Sequence, residues 1–344
     1  MDQELIEIDG SHLEGGGQIL RTACALSAAT KKPCRIFNIR KGRPEPGLAT
    51  QHLLGIQSLA LLCDGKLEGD YLKSQEIKFY PGGQCRDRLS INIPTAASLT
   101  LILQLLIPPA LFSQKPVEII FEGGATDTFF SPTMDYFRYV FSVILEKIGG
   151  KIEITILKRG YYPEGGARVK VQIQPSPLKA LDLTERGNFK NIQIFSGASD
   201  LLKAKKVVER QIAGVKEVLG KLGLPGTEEK SEHSSAQSQG SHVCLLALFK
   251  NTVIGTDNLG KLDKRPEDVG KEAAMALLKE QKSEACLDKN LADQILPFLA
   301  MAPGRSRITV SEITNHCKTN MWVIENFLSG KFEIKNNLII WNPS

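Results

Sequence analysis

The sequence predicts an α/β protein of the α+β type, with a large body of three repeated split α/β units, sheets backed by helices, and a smaller inserted α/β domain. Three observations carry this. A helix, a short strand, a polar loop, a second helix and a strand entered through glycine recur three times in that order. Apolar residues keep helical spacing in the helices and alternate with polar ones in the strands. Between about Thr184 and Gln281 the order breaks, and that stretch has strands and helices of its own. The large domain is therefore assigned to residues 1–183 and 282–344, and the insert to 184–281. Identity between the copies is low, so the repeat is one of pattern.

In the first copy Leu5-Ile6-Glu7-Ile8 alternates as a strand, and Ile19, Leu20, Ala23, Leu26 and Ser27 set a helix over 19–29. A strand over 34–39, a loop over 40–49, a helix over 50–63 and Gly65 follow. The second copy has a helix over 96–107, a strand from Val117 to Phe121 and a loop from Glu122 to Pro132. Its second helix runs from Thr133 to Ile148, and Gly149-Gly150 leads into a strand from Lys151 to Leu157. The third has a helix from Ala292 to Met301, a strand from Arg307 to Val310 and a loop from Ser311 to Lys318. A helix from Thr319 to Leu328, Gly330 and a strand from Lys331 to Ile334 complete it. In the insert we expect a strand from Asn191 to Phe195, a long basic helix from Leu201 to Leu222 and a polar stretch from Glu228 to Gly240. A strand from His242 to Lys250 and a helix from Pro266 to Glu280 close it.

With 344 residues, 42% of them hydrophobic and 24% charged, the chain is long enough for a buried core and two domains. Its net charge of +5 favours acidic partners only mildly, so local arginine clusters matter more than the total. The N-terminus has no basic n-region or apolar h-region. The longest apolar stretch, Leu99 to Phe112, is broken by Gln104 and two prolines and is too short to span a bilayer. The seven cysteines are odd in number and form no Cys-x-x-Cys pair, which fits reduced thiols in a cytoplasmic protein. Cys317, next to His316, reads as a bystander, with redox sensing as the alternative.

The segment Asp9-Gly10-Ser11-His12-Leu13-Glu14-Gly15-Gly16-Gly17-Gln18-Ile19-Leu20-Arg21 falls between a strand and a helix. Glycines there let the backbone approach an anion, the helix start favours negative charge, and Arg21, one turn in, adds a fork of donors. Glu14 beside such a cradle makes sense if a divalent cation lies between them. The alternative is a glycine-rich turn with a surface glutamate and a helix-face arginine. No Gly-Lys-Ser/Thr follows, so this is not a Walker A loop. A second segment, Arg40-Lys41-Gly42-Arg43-Pro44-Glu45-Pro46-Gly47, ends a stretch with six basic residues in thirteen. Proline and glycine fix its shape, so Arg40 and Arg43 look held for anion recognition. Of the five histidines, His12 and His52 lie in these two segments, and His233 and His242 in the insert. His316 lies in the third polar loop, so the three equivalent loops are positioned to converge.

The blocks DGSHLEGGGQILRTACALSA, RKGRPEPGLATQHL, TDTFFSPTMDYF, LADQILPFLA and ITNHCKTNMWVIENFL resemble, in order and spacing, those of the RNA 3′-terminal phosphate cyclases, over essentially the whole chain. The resemblance implies three repeats, each two helices on a four-stranded sheet, with a smaller insert domain. It implies ATP and Mg²⁺ or Mn²⁺, with an RNA bearing a 3′-phosphate as partner. His316 is then the nucleophile that takes AMP from ATP as a covalent phosphoramidate. AMP passes to the RNA end, and the neighbouring 2′-hydroxyl closes a 2′,3′-cyclic phosphate.

By the same resemblance Glu14 binds metal, Arg21, Arg40, Arg43 and Gln51 contact phosphate or substrate, and Gln104, Pro132, Asp293 and Gln294 bind ATP. Asn290 stands where some members carry an adenine-stacking tyrosine, and Phe129 or Phe130 is the substitute we consider. Lys203, Lys205, Lys206, Arg210 and Lys216 of the insert suit either a solvated helix face or an RNA backbone. One branch of the superfamily acts in ribosome assembly without the nucleophilic histidine, and that is the alternative function. An enolpyruvyl transferase shares the fold type but not the histidine motif.

Overall fold

The computed structural model describes residues 4–220 and 227–344. The end of the expected insert helix, at Leu222, lies outside the described residues. Four four-stranded sheets are present among them, and three share one strand order. The first runs Ile6–Asp9, Cys34–Phe37, Ile77–Tyr80, Lys66–Glu68. The second runs Arg88–Ser98, Val117–Ala125, Arg168–Gln174, Lys151–Lys158, and the third Asp182–Leu183, Ser306–Thr309, Leu338–Pro343, Gly330–Lys335. In each, the first two strands pair parallel and the other pairings are antiparallel. The parallel pair demands a crossover, which the intervening helix supplies, and the last two strands form a hairpin.

Two helices back each of these sheets: Gly17–Thr30 and Thr50–Cys63, then Leu99–Leu111 and a helical run over 134–147, then Lys289–Met301 and Asn315–Phe327. Helix Leu99–Leu111 extends past the expected end at 107, because its two prolines sit in the last turn of a segment whose burial holds it in place. Every residue in it is buried except Gln104. The run over 134–147 carries a π-helical segment at Phe137–Phe141. Helix Asn315–Phe327 begins earlier than expected. The Thr314 side chain accepts from Cys317 N at 3.2 Å and closes the first turn, so His316 lies in a helix and not in a loop.

Asp182–Leu183 and the helix Lys289–Met301 are separated in sequence by the fourth sheet, ordered Thr227–Ser234, Phe189–Ser199, Ser241–Phe249, Val253–Leu259. The expected basic helix is a 3-10 turn at Asp200–Lys205 followed by an α-helix at Val207–Gly220. Part of the polar stretch is a strand, Thr227–Ser234, paired parallel to Phe189–Ser199 at the sheet edge. At the sheet edge Glu228 to Glu232 are all exposed, so the strand tolerates charge, which is why its composition hid it. The continuous apolar run in Ser241–Phe249 fits burial on both faces. Val243, Leu245 and Ala247 join a core with helices Val207–Gly220 and Pro266–Lys282, while Cys244 and Leu246 join the main core.

Buried charge also ties this sheet to the second unit. Arg159, 2% exposed, reaches Asp127 at 3.1 Å, Asp135 at 2.8 Å and Glu232 at 2.8 Å. His242 Nε2 lies 2.8 Å from Asp135, and the Tyr161 hydroxyl 3.2 Å from His242 Nδ1. Against the upward push of burial, Arg159 and His242 hold the Asp135 carboxyl well below its ordinary range. No helix among the described residues is long and apolar enough to cross a membrane.

Candidate active site

The helix start predicted after the glycines is present. Gly17 opens helix Gly17–Thr30, and Gly15 has φ +57°, a conformation suited to glycine. A Cβ on Gly17 would sit 2.0 Å from His52 Nε2, so glycine is what lets the imidazole close on the helix N-terminus. His52 Nδ1 accepts from Ala49 N at 3.3 Å. Burial, with Arg21 and Arg40 nearby, drives His52 down to about 3, so this ring is neutral at physiological pH. His12 stacks on Trp322, with centroids 4.0 Å apart, and ties the glycine-rich loop to the helix that carries His316.

Gln18, Arg21, Thr22 and Ala25 stand at i, i+3, i+4 and i+7 on the face of the first helix turned to the third unit. Gln18 Nε2 donates to Asp293 Oδ2 and to the His316 carbonyl, both at 3.0 Å, and Gln18 Oε1 faces His316 Nδ1 in a short contact. Thr22 donates to Asn320 Oδ1 at 2.8 Å, and Asn320 donates to the Asp293 carbonyl at 2.8 Å. Arg21 Nε donates to Gln104 Oε1 at 3.3 Å, Gln104 to Gln294 Oε1 at 3.1 Å, and Gln294 to the Asn290 carbonyl at 2.6 Å. Because arginine is only a donor, this chain fixes the orientation of both amides. Burial lifts the Asp293 carboxyl to about 7 against the pull of Arg21. Burial likewise brings Arg21 down to about 10 against Asp293.

These groups border a cavity of about 340 Å³ lined by Arg21, Gln104, Pro132, Asp293, Gln294 and His316, together with Phe130 and Asn290. Glu14 is not in the lining but reaches its rim, with Oε1 3.1 Å from His316 Nε2. Arg43 lies 3.6 Å from that carboxylate and 3.4 Å from the Glu14 carbonyl. Arg40 and Gln51 are outside the lining. Arg40 donates to the Gly47 carbonyl at 2.8 Å and Gln51 accepts from Ser98 N at 3.3 Å, so both are held, beside the site and not in it. Of the two phenylalanines, Phe130 lines the cavity with its ring fully exposed, while Phe129 lies under Lys261.

Gln18, Asn320, Tyr136, Asp257 and Lys289 escaped the sequence reading. The polar stripe Gln18-Arg21-Thr22 on an otherwise apolar helix was the signal for the first of them. Asp257 carried none, because it comes from the inserted sheet, where its carboxylate accepts from Thr133 N at 2.7 Å. Two basic groups of the insert helix have carboxylate partners inside the same unit, Arg210 with Glu267 at 2.7 Å and Lys216 with Glu229. Cys317 is fully buried and burial pushes its thiol up to about 12, which suits the bystander reading.

The sequence profile of the family described as RNA 3′-terminal phosphate cyclase matches residues 12–334. The chain belongs to this family. A cyclase of that name from Pyrococcus furiosus is 44% identical over 335 residues, covering 97% of this chain and 96% of the relative. One from Pyrobaculum aerophilum is 43% identical over 329 residues, covering 95% and 94%. One from Archaeoglobus fulgidus is 41% identical over 337 residues, covering 98% and 99%. Among solved structures, the EPSP synthase of Acinetobacter baumannii aligns over 99% of this chain and 65% of its own, with 11% identity and a TM-score of 0.34. That likeness is too slight to bear on the chemistry.

Proposed function

We propose that this cyclase-family chain converts an RNA 3′-phosphate end to a 2′,3′-cyclic phosphate, using ATP and a covalent adenylyl group on His316. The observation that carries this is the placement of His316 in the wall of a nucleotide-sized cavity, with its ring clamped at one nitrogen and Arg21 and Arg43 close by. In the first step the Nε2 lone pair bonds to the α-phosphorus of ATP, the bond to the β-phosphate oxygen breaks, and pyrophosphate leaves. Next a 3′-phosphate oxygen of the RNA displaces His316 from that phosphorus and regenerates the imidazole. The 2′-hydroxyl then attacks the 3′-phosphorus, AMP leaves, and the hydroxyl proton passes to solvent. Both reacting groups of that last step sit on one ribose, so proximity does much of the work.

Among the described residues no group of three or more ligating side chains is placed to hold a metal. Glu14, alone at the rim, fits a Mg²⁺ or Mn²⁺ that arrives on the triphosphate, since Mg²⁺ keeps waters and needs only one or two carboxylates beside substrate phosphates. Such an ion would offset charge on the departing pyrophosphate. Arg21 and Arg43 supply fixed positive charge for the same purpose. The seven cysteines are all free, which supports a reducing, cytoplasmic setting.

The test is incubation with α-labelled ATP and Mg²⁺, followed by denaturation. Wild type is expected to carry acid-labile label and His316→Ala none. Unlabelled wild-type protein, or a labelled His316→Ala, would end the covalent proposal.

A further inference from the structure

We infer that Gln18 is the positioning residue that selects the reactive tautomer of His316, an inference that rests on the nucleophilic role proposed above. The ring has two nitrogens, and the proton must be on the one that does not attack. In water, neutral imidazole favours the proton on Nε2, which is the wrong arrangement for attack through that atom. The partner of the other nitrogen decides the matter inside a protein. Here that partner is the Gln18 amide.

An amide can be turned either way, so its orientation has to be argued from its other neighbours. The nitrogen end of Gln18 meets Asp293 Oδ2 and the His316 carbonyl oxygen, each at 3.0 Å. Turning the amide over would set its oxygen against both. The His316 carbonyl is an acceptor at every pH, so it alone forbids the turned form whatever the state of Asp293. The oxygen of Gln18 therefore faces Nδ1, and Nδ1 must donate. Nε2 is left as the attacking nitrogen; here it faces Glu14 Oε1 at 3.1 Å, an acceptor as well, so its lone pair would become available once that carboxylate turns to the metal ion of the triphosphate.

The clamp grips one residue twice, at its ring and at its own carbonyl. That fixes the imidazole plane as well as its tautomer. The clamp is itself buried, since Gln18 is 5% exposed, and Asp293 is anchored through its carbonyl by Asn320. Gln18 is not itself in the cavity lining and meets it only through Asp293 and His316, so its effect on the reacting nitrogen runs through His316.

The experiment uses the full chain with Gln18→Leu, and with the unbranched Gln18→Met should the leucine variant fail to fold. Single-turnover transfer of label from α-labelled ATP to the protein is expected to slow about 10- to 100-fold. The dissociation constant for α,β-methylene ATP with Mg²⁺ is expected to stay within about twofold, because no ATP contact is removed. In the same complex, long-range ¹H–¹⁵N spectra of histidine-labelled protein are expected to report His316 as Nδ1–H in wild type and to lose that pattern in the variants. A wild-type labelling rate in the variants, or an unchanged Nδ1–H pattern, would overturn the inference. If wild type takes no label at all, the adenylylation reading fails, while the spectra still decide what Gln18 does to the ring.

Discussion

Gly17 and His52 form a matched pair at the residue scale. The imidazole occupies the volume a side chain at position 17 would need. Gly17→Ala is therefore expected to cost about 1–3 kcal/mol in urea unfolding, as overpacking does. Adding His52→Ala should recover much of that loss, because the ring is what the methyl group meets. A non-additive double mutant is the outcome that confirms the contact, and strict additivity would refute it. The sequence alone makes Gly17 look like part of an anion cradle. Its closest neighbour is instead a histidine thirty-five positions on, and no spacing rule links two such residues. Glu14 and Arg21 were legible because a carboxylate and an arginine beside three glycines are unusual company. For Gln18 the only sequence signal was its place in the polar stripe with Arg21 and Thr22, and its role depends on partners that the sequence does not show.

Helix boundaries decide which groups the elements deliver. Helix Leu99–Leu111 is read correctly as apolar, and its single less-buried residue, Gln104, is the one that enters the amide chain from Arg21 to Gln294. A lone polar residue in a buried helix was thus a usable signal. The start of helix Asn315–Phe327 was misplaced by four residues because Asn315, His316 and Lys318 read as loop composition, while the Thr314 cap that closes the turn depends on one hydroxyl. Thr314→Ala is expected to destabilise the protein by about 1 kcal/mol. It should also slow labelling of His316 more than it weakens ATP binding, since it loosens the turn that carries this proposed nucleophile. Equal effects on rate and affinity would argue against this reading. Three interior strands, Ile77–Tyr80, Arg168–Gln174 and Leu338–Pro343, are each the second strand of a hairpin and carry no helix before them, so a pattern built on helix–strand alternation passes over them.

At the scale of the whole molecule the inserted sheet is held to the second unit around buried Arg159, Asp127, Asp135 and His242, with the half-exposed Glu232 at the edge. Breaking a buried pair by removing one partner leaves the others uncompensated, at about 3–5 kcal/mol. Arg159→Met is expected to cost that much in chemical denaturation. A loss below about 1 kcal/mol would show that water reaches the carboxylates. This seam was invisible in the sequence because its members, Asp127, Asp135, Arg159, Glu232 and His242, are scattered over more than a hundred positions. The site has a still longer reach, since the contacts from Gln18 and Thr22 to His316 and Asn320 each span 298 residues. During synthesis, then, the glycine-rich loop leaves the ribosome 298 residues ahead of its partner. A chain cut short before Asn315 would have the glycine-rich loop without His316. Under the proposed function, labelling of His316 would therefore report that two segments 298 residues apart have been made and have folded together.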